Sequence, residues 1–415
     1  MQHDDISGSL VEAAVSTVQE VDVLVTPPAH ILEFAGQLGV ALLAANSPVN
    51  YIQTTLAGVI EAYGGHAQVV VLPTLVFIRL TDGQSAALDV RSADAKELRL
   101  DQVDAVFRLV RRAQHGLLPV EAGIQQLSEI LASQSRYGTL INILAHGMLA
   151  AGLGLVLDPS LRELVGCTLL GLLVGLLYVL AARLTILSML LPVAAALLVG
   201  VIVFSVVQRG WAESPLLMLI PPLIVLLPGA TLTTAMIELQ DGDVISGSSR
   251  MVAGLVQLAL LLFGLVLAAA VVGLPPSTAF ANPHQPVFAW WAALLGVLIF
   301  GAGFYIHFSA PPGTIFWLLI VLYAAWIGQQ MAGAAVGGHS AGLAGALAMT
   351  PFAFALERFR SAPAAFVSLQ PAYLLLVPGS LGLIGLTELV GQEGDAGLDD
   401  VVAMLFTVVA IAGGI

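Results

Sequence analysis

Hydrophobic positions follow two different patterns, and the change falls near Arg136-Tyr137-Gly138. Before that point apolar residues recur at amphipathic spacing in short segments, and after it they form long, nearly unbroken runs. In the first part, Ile31 to Ala45 and Val49 to Tyr63 predict two helices, separated by Asn46-Ser47-Pro48, a capping residue followed by a helix-starting proline. The β-rich runs Val69 to Leu72, Leu75 to Leu80 and Ser85 to Val90, with Pro73 and Thr81-Asp82-Gly83 as turns, predict a small antiparallel sheet. Leu100 to His115 and Pro119 to Ser133 predict two amphipathic helices, the second with Pro119 at its start and Glu121 in its first turn. Residues 29–139 therefore read as a small α+β soluble domain. Residues 1–28, weakly periodic and carrying Pro27 and Pro28, read as a mobile leader.

From Leu140 onward, ten apolar stretches are long enough to cross a hydrocarbon core of roughly 30 Å at a rise of about 1.5 Å per residue. They cover about 140–157, 163–182, 185–207, 215–239, 251–273, 287–308, 313–331, 334–356, 365–389 and 400–415. The last, ending on Gly413-Gly414-Ile415, is short, which points to a clipped end or to completion of that helix from outside the chain. With the N-terminal domain inside, Arg136, Arg183, Arg250, Arg358 and Arg360 fall at inner helix ends and Arg162 and Arg209 at outer ones. That excess favours a cytoplasmic N-terminal domain.

The spans repeat at an offset of 150 residues. Leu227-Pro228-Gly229 is followed by Ile237-Glu238-Leu239, and Val377-Pro378-Gly379 by Thr387-Glu388-Leu389; Pro221 recurs as Pro371. The expected architecture is ten transmembrane helices in two five-helix repeats, over 140–273 and 287–415, joined by the Pro-rich external segment 274–286. Because five is odd, the second copy enters from the opposite face, an inverted repeat of the kind transporters use.

Composition agrees with a polytopic membrane protein: 58% of the 415 residues are hydrophobic and 10% charged, and the mean hydropathy is +0.95. The net charge of −13 argues against nucleic acid as a partner, since phosphate backbones are bound by clustered Lys and Arg. The single cysteine, Cys167, excludes an intramolecular disulfide and any Cys-based metal site. Met1-Gln2-His3-Asp4-Asp5 has neither the basic nor the apolar part of a signal peptide, so no cleaved leader is expected.

Leu226-Leu227-Pro228-Gly229 through Glu238, followed by Ser246-Gly247-Ser248-Ser249-Arg250, resembles the threonine/serine exporter family, ThrE. In the N-terminal part Leu100-Asp101-Gln102-Val103, Gly116, Glu121-Ala122, Ile130 and Tyr137 resemble the pattern that leads into that family's first membrane helix. The likeness covers nearly all of the chain after about residue 30. It implies export of small hydroxylated amino acids from the cytoplasm across the cell membrane, driven by the proton-motive force. The second repeat departs from the pattern, with Asp399-Asp400 where Ser246-Gly247-x-x-Arg250 would recur.

A zwitterionic substrate needs donors for its carboxylate, acceptors for its ammonium and a partner for its hydroxyl. Gly229, just after the break at Pro228, is expected to expose backbone N–H groups to the substrate, and Thr231, Thr234 and Glu238 fall at i, i+3 and i+7 on one face. Leu381 and Ile384 replace the two threonines in the second repeat, so Pro378, Gly379 and Ser380 are its expected contribution. Glu238 and Glu388 are the candidate proton carriers. The plainer reading keeps both at helix ends as interfacial groups, Glu238 near Arg250 or the Asp241-Gly242-Asp243 turn. Asn142, His146 and Arg250 are further candidates for a polar pore, and His307 and His339 also lie at the ends of apolar runs.

No metal or cofactor is expected. An HExxH motif, a Gly-x-Ser-x-Gly elbow and a phosphate loop are all lacking, which disfavours an embedded enzyme and ATP-driven transport. The expected partners are a small amino acid, protons and membrane lipid, with a homo-oligomer left open. A membrane sensor whose N-terminal domain binds a cytoplasmic ligand is the alternative reading.

Overall fold

The computed structural model describes residues 28–82, 85–93, 97–212, 214–280, 291–336, 341–359 and 361–376, together with 383, 385, 387, 408 and 409. The N-terminal domain begins with α1 (Pro28–Ala44) and α2 (Val49–Ala62). Strands β1 (His66–Leu72), β2 (Leu75–Asp82) and β3 (Ser85–Ser92) follow as an antiparallel meander in the order β1-β2-β3. Helices α3 (Leu100–Gln114) and α4 (Val120–Ala132) complete it. Alternation along the strands sends Val71, Val76, Ile78 and Leu80 inward, where they meet Phe34, Leu38, Leu42, Ile52, Leu56 and Leu127. These elements lie where the sequence pattern puts them.

The membrane part contains α5 (Thr139–Leu157), α6 (Leu161–Ala181), α7 (Thr185–Gln208), α8 (Pro215–Leu223), α9 (Gly229–Gln240) and α10 (Val244–Val272). After the single turn α11 (Pro276–Ala279) come α12 (Trp291–His307), α13 (Ile315–Val336), α14 (Ala341–Leu356) and α15 (Ala365–Leu376). Five of these helices are long and apolar enough to cross a membrane, and the pair Pro215–Leu226 and Gly229–Gln240, bent by 61°, makes a sixth broken span. The chain is thus a multi-pass membrane protein. Of the sixth and eighth sequence-predicted spans, the described residues form helices of 17 and 16 residues. The predicted ninth span is described as α15 and at 383, 385 and 387, and nearly all of the tenth lies outside the described residues.

Local chemistry sets several helix ends. Ser160 and Glu163 form a capping box at the start of α6, and the other carboxylate oxygen of Glu163 accepts from the Ser214 amide at 2.9 Å. One buried carboxylate therefore ties α6 to the start of α8. Helices α5 and α12 pack antiparallel at very short range: a Cβ on Gly152 would lie 2.3 Å from the Phe300 amide nitrogen, and one on Gly303 2.8 Å from that of Leu149.

The N-terminal domain sits on the membrane part through paired helix ends. The Leu100 and Asp101 amides at the start of α3 donate to the Phe308 and Ser309 carbonyls, each at 3.1 Å. Asp104 accepts from the Ala364 amide at 3.1 Å, just ahead of α15. Arg111 pairs with Glu357 at 3.2 Å, and the rings of Tyr51, Phe107 and Phe366 cluster with centroids 5.6–6.0 Å apart. The loops after α9, α12 and α14 thus share the domain's side of the membrane part.

Candidate functional site

The broken span is built by its prolines. Pro221 and Pro222 lack N–H donors, so the last turn of α8 tightens into a 3-10 turn at Ile224–Leu226; Leu227 is extended, and α9 restarts after Pro228. The Leu226 carbonyl exposed by the break accepts from Gln257 of α10 at 2.6 Å. Gln257 was not among the sequence candidates, although a lone amide in an apolar run was a signal for it.

Gly229 was expected to offer its amide to a ligand, but it folds back onto the Leu227 carbonyl at 2.9 Å. The extended Leu227 takes the chain off the helical path just before it, so this tight turn uses that donor. The first rung of α9 is Leu232 to Pro228, so the helical ladder leaves the amides of Ala230 and Thr231 unused. Thr234 is buried and Thr231 half-buried one turn apart, while the Thr233 hydroxyl returns to the Gly229 carbonyl at 2.9 Å.

At the other end of α9, Glu238 is fully buried and pairs with Arg250 at 3.1 Å. The same carboxylate oxygen accepts from the Val49 amide at 3.2 Å, and Arg250 also bonds to Asn46. Asn50 reaches Asp241 at 3.4 Å. Glu238 and Arg250, given different candidate roles in the sequence but near each other in its plainer reading, form one ion pair under the α1–α2 corner of the N-terminal domain.

Beside this corner lies a cleft of about 360 Å³. Asn50, Tyr51 and Thr54 of the N-terminal domain line it with Gln240 and Asp241 after α9 and with Glu357 and Phe366 around the α14–α15 loop. It thus joins both halves of the membrane part, and its acceptors suit an ammonium group. Partial burial, and secondarily the charge of Asp241, push the Asp243 carboxyl above the ordinary aspartate range.

His146 lies apart from the Glu238 pair, fully buried, with Nε2 3.1 Å from the Pro222 carbonyl of α8. Its ring meets that of His307 at a centroid distance of 5.1 Å, and Asn142 bonds to His307 through its backbone. Asn142 and His146 thus come together, with His307 as a third member. Pro378, Gly379, Ser380, Glu388 and His339 lie outside the described residues. Among the described residues no group of three or more His, Cys, Asp or Glu could hold a metal ion.

Residues 33–272 match the family described as "Putative threonine/serine exporter", ThrE. The chain is also 24% identical over 288 residues to pheromone-regulated membrane protein 10 of Debaryomyces hansenii, covering 64% of this chain and 26% of that protein. The match thus spans about a quarter of that relative's length. No solved structure matches.

Proposed function

Because the chain belongs to the threonine/serine exporter family, a family of membrane exporters, we propose that it moves small hydroxylated amino acids such as threonine and serine out of the cytoplasm, coupled to protons. The observation that carries this reading is the broken α8–α9 span. Its restart presents two amides left out of the helical ladder beside Thr231 and Thr234, a fit for a carboxylate and a hydroxyl. Its inner end meets the cleft over the two halves, whose volume falls in the range of about 300–1,000 Å³ usual for small-molecule sites.

In this reading the N-terminal domain is cytoplasmic, and the cleft, with Asp241 and Glu357 to receive an ammonium, is the inner vestibule. The antiparallel packing of α5 against α12 supports two inverted five-helix repeats, since the first helices of such repeats run in opposite directions. Pro378, Gly379 and Ser380 would then furnish the matching break. Of the two parts open to Glu238, its pairing with Arg250 and Val49 favours holding the domain on the inner mouth. Glu388 stays a candidate proton carrier.

The test is uptake of labelled threonine by proteoliposomes under an imposed pH gradient. Gradient-dependent flux is expected, with serine competing. Absence of flux for threonine, serine and a panel of small solutes would overturn the reading, and threonine binding without flux would favour the sensor.

A further inference from the structure

The His146 ring has one nitrogen committed and one idle. A carbonyl only accepts, so the 3.1 Å contact with Pro222 requires the hydrogen on Nε2, and the neutral ring then carries its lone pair on Nδ1. That Nδ1 is buried and has no hydrogen-bond partner among the described residues. His307 also has a ring bond to the Asn142 backbone and a buried Nδ1 without a partner among the described residues. The Asn142 side-chain oxygen, on the turn before His146, is a third buried polar atom without a partner among the described residues. Leaving three such atoms idle in an apolar membrane domain is costly.

We propose that the His146–His307 pair is a proton-binding site that couples the gradient to the broken helix, an inference that rests on the exporter reading above. Between them the rings offer two basic lone pairs. At a centroid separation of 5.1 Å two imidazolium charges would repel each other, so the pair takes one added proton as a unit. Asn142 provides an unused acceptor in the same cluster for the new N–H. The titratable group facing both rings is Tyr178 of α6, with centroids 6.4 and 6.0 Å away, and Glu97 of the N-terminal domain acts electrostatically on that phenol. From α8 the facing group is the Pro222 carbonyl, and Phe308 closes the His307 side.

The coupling is geometric. Pro222 belongs to the last turn of α8, whose carbonyls lack partners within the helix, immediately ahead of the bend. Protonation at Nδ1 makes the Nε2–H bond to that carbonyl charge-assisted and stronger, holding the bent form. Proton loss weakens this hold on the segment leading to Thr231 and Thr234. Occupancy by a proton thus biases the element proposed to bind substrate.

Two measurements on the full-length protein test this. In nanodiscs containing protein labelled with 15N-histidine, the imidazole resonances of the pair are assigned by their loss in His146→Gln and His307→Gln. Across the pH range 5 to 9, one added proton is expected on the pair, and two rings that stay neutral throughout would overturn the site whatever the transport result. In proteoliposomes His146→Gln retains an amide donor for Pro222 but cannot take a proton. It is expected to keep threonine counterflow, which needs no gradient, and to lose stimulation by the pH gradient. Stimulation equal to wild type in the double Gln variant would also overturn the proposal. Loss of counterflow as well as stimulation in both single variants would place the pair in structure rather than coupling and overturn it. A pair that titrates in a protein with no flux of any tested solute would support the proton site and overturn the exporter reading alone.

Discussion

The carboxylate of Glu238 caps a helix that begins 189 residues before it, accepting from the Val49 amide at 3.2 Å while pairing with Arg250 at 3.1 Å. Val49 is the first residue of α2, where unused amides and the helix dipole favour a negative charge. The reverse arrangement holds at α15, where Asp104 of the N-terminal domain accepts from the Ala364 amide ahead of the helix. Each part therefore satisfies polar groups at a helix start of the other.

Removing one partner of a buried ion pair leaves the other charge uncompensated. Arg250→Ala is expected to lower stability by about 3–5 kcal/mol. Thermal unfolding in detergent checks this against Arg209→Ala, an exposed site expected to change little. Replacing both Glu238 and Arg250 by Met should recover most of the loss.

Asp104→Ala leaves the Ala364 amide without its acceptor, a cost of about 1–3 kcal/mol borne by the contact between the two parts. Trypsin cleavage at the exposed Arg136 is expected to accelerate, and Asp104→Asn, which retains an oxygen, should fall in between.

Two glycine substitutions should have opposite signs. At Gly152 a new Cβ meets the backbone of Phe300 at 2.3 and 2.6 Å, so Gly152→Ala is expected to cost at least about 1–3 kcal/mol by forcing α5 from α12. At Gly58 within α2 the nearest atom is a Gln114 side-chain nitrogen at 3.5 Å, and Gly58→Ala should gain about 0.5–1 kcal/mol. Melting temperatures of the two variants decide it.

Asp243 gives a signed pH dependence. Its raised pKa means that the folded protein holds this proton more tightly than the unfolded chain. The stabilisation is present in acid and is lost as pH rises from the ordinary aspartate value through the raised one. Asp243→Asn should therefore be more stable than wild type at pH 7 and equal to it in strong acid, as urea titrations at both pH values would show.

Thr234→Val removes a hydroxyl while keeping the side chain's shape. Losing one hydrogen bond to substrate is worth about tenfold in apparent affinity, so KM for threonine is expected to rise by that order with little change in melting temperature. An unchanged KM would remove Thr234 from the binding face.

Much of this was legible in the sequence because it is local. The period-two alternation of β1 to β3 and the turns between them set the meander, and Pro221, Pro222 and Pro228 lack the N–H groups a continuous helix needs, so the break at Leu227 was readable. The proximity of Glu238 and Arg250 was also readable, since a short turn returns the chain at Asp241-Gly242-Asp243.

Other relationships belong to the tertiary structure alone. Apart from Asn142 and His146, a membrane helix such as α5 is apolar on every side, so its sequence does not say which helix those two residues face. That is why the pairing of His146 with His307 and the hold of His146 on Pro222 could not be read from spacing. The Gly229 amide looked free because its neighbours along the chain allow it to be, and only the folded turn commits it to Leu227. Likewise Asn46-Ser47-Pro48 reads as an ordinary helix junction, and nothing in it points to an ion pair some 190 residues away. The sequence by itself determined where helices and strands start, stop and break, because those depend on neighbouring residues. Which buried polar groups satisfy one another was decided by packing, which brings together residues with no pattern in common.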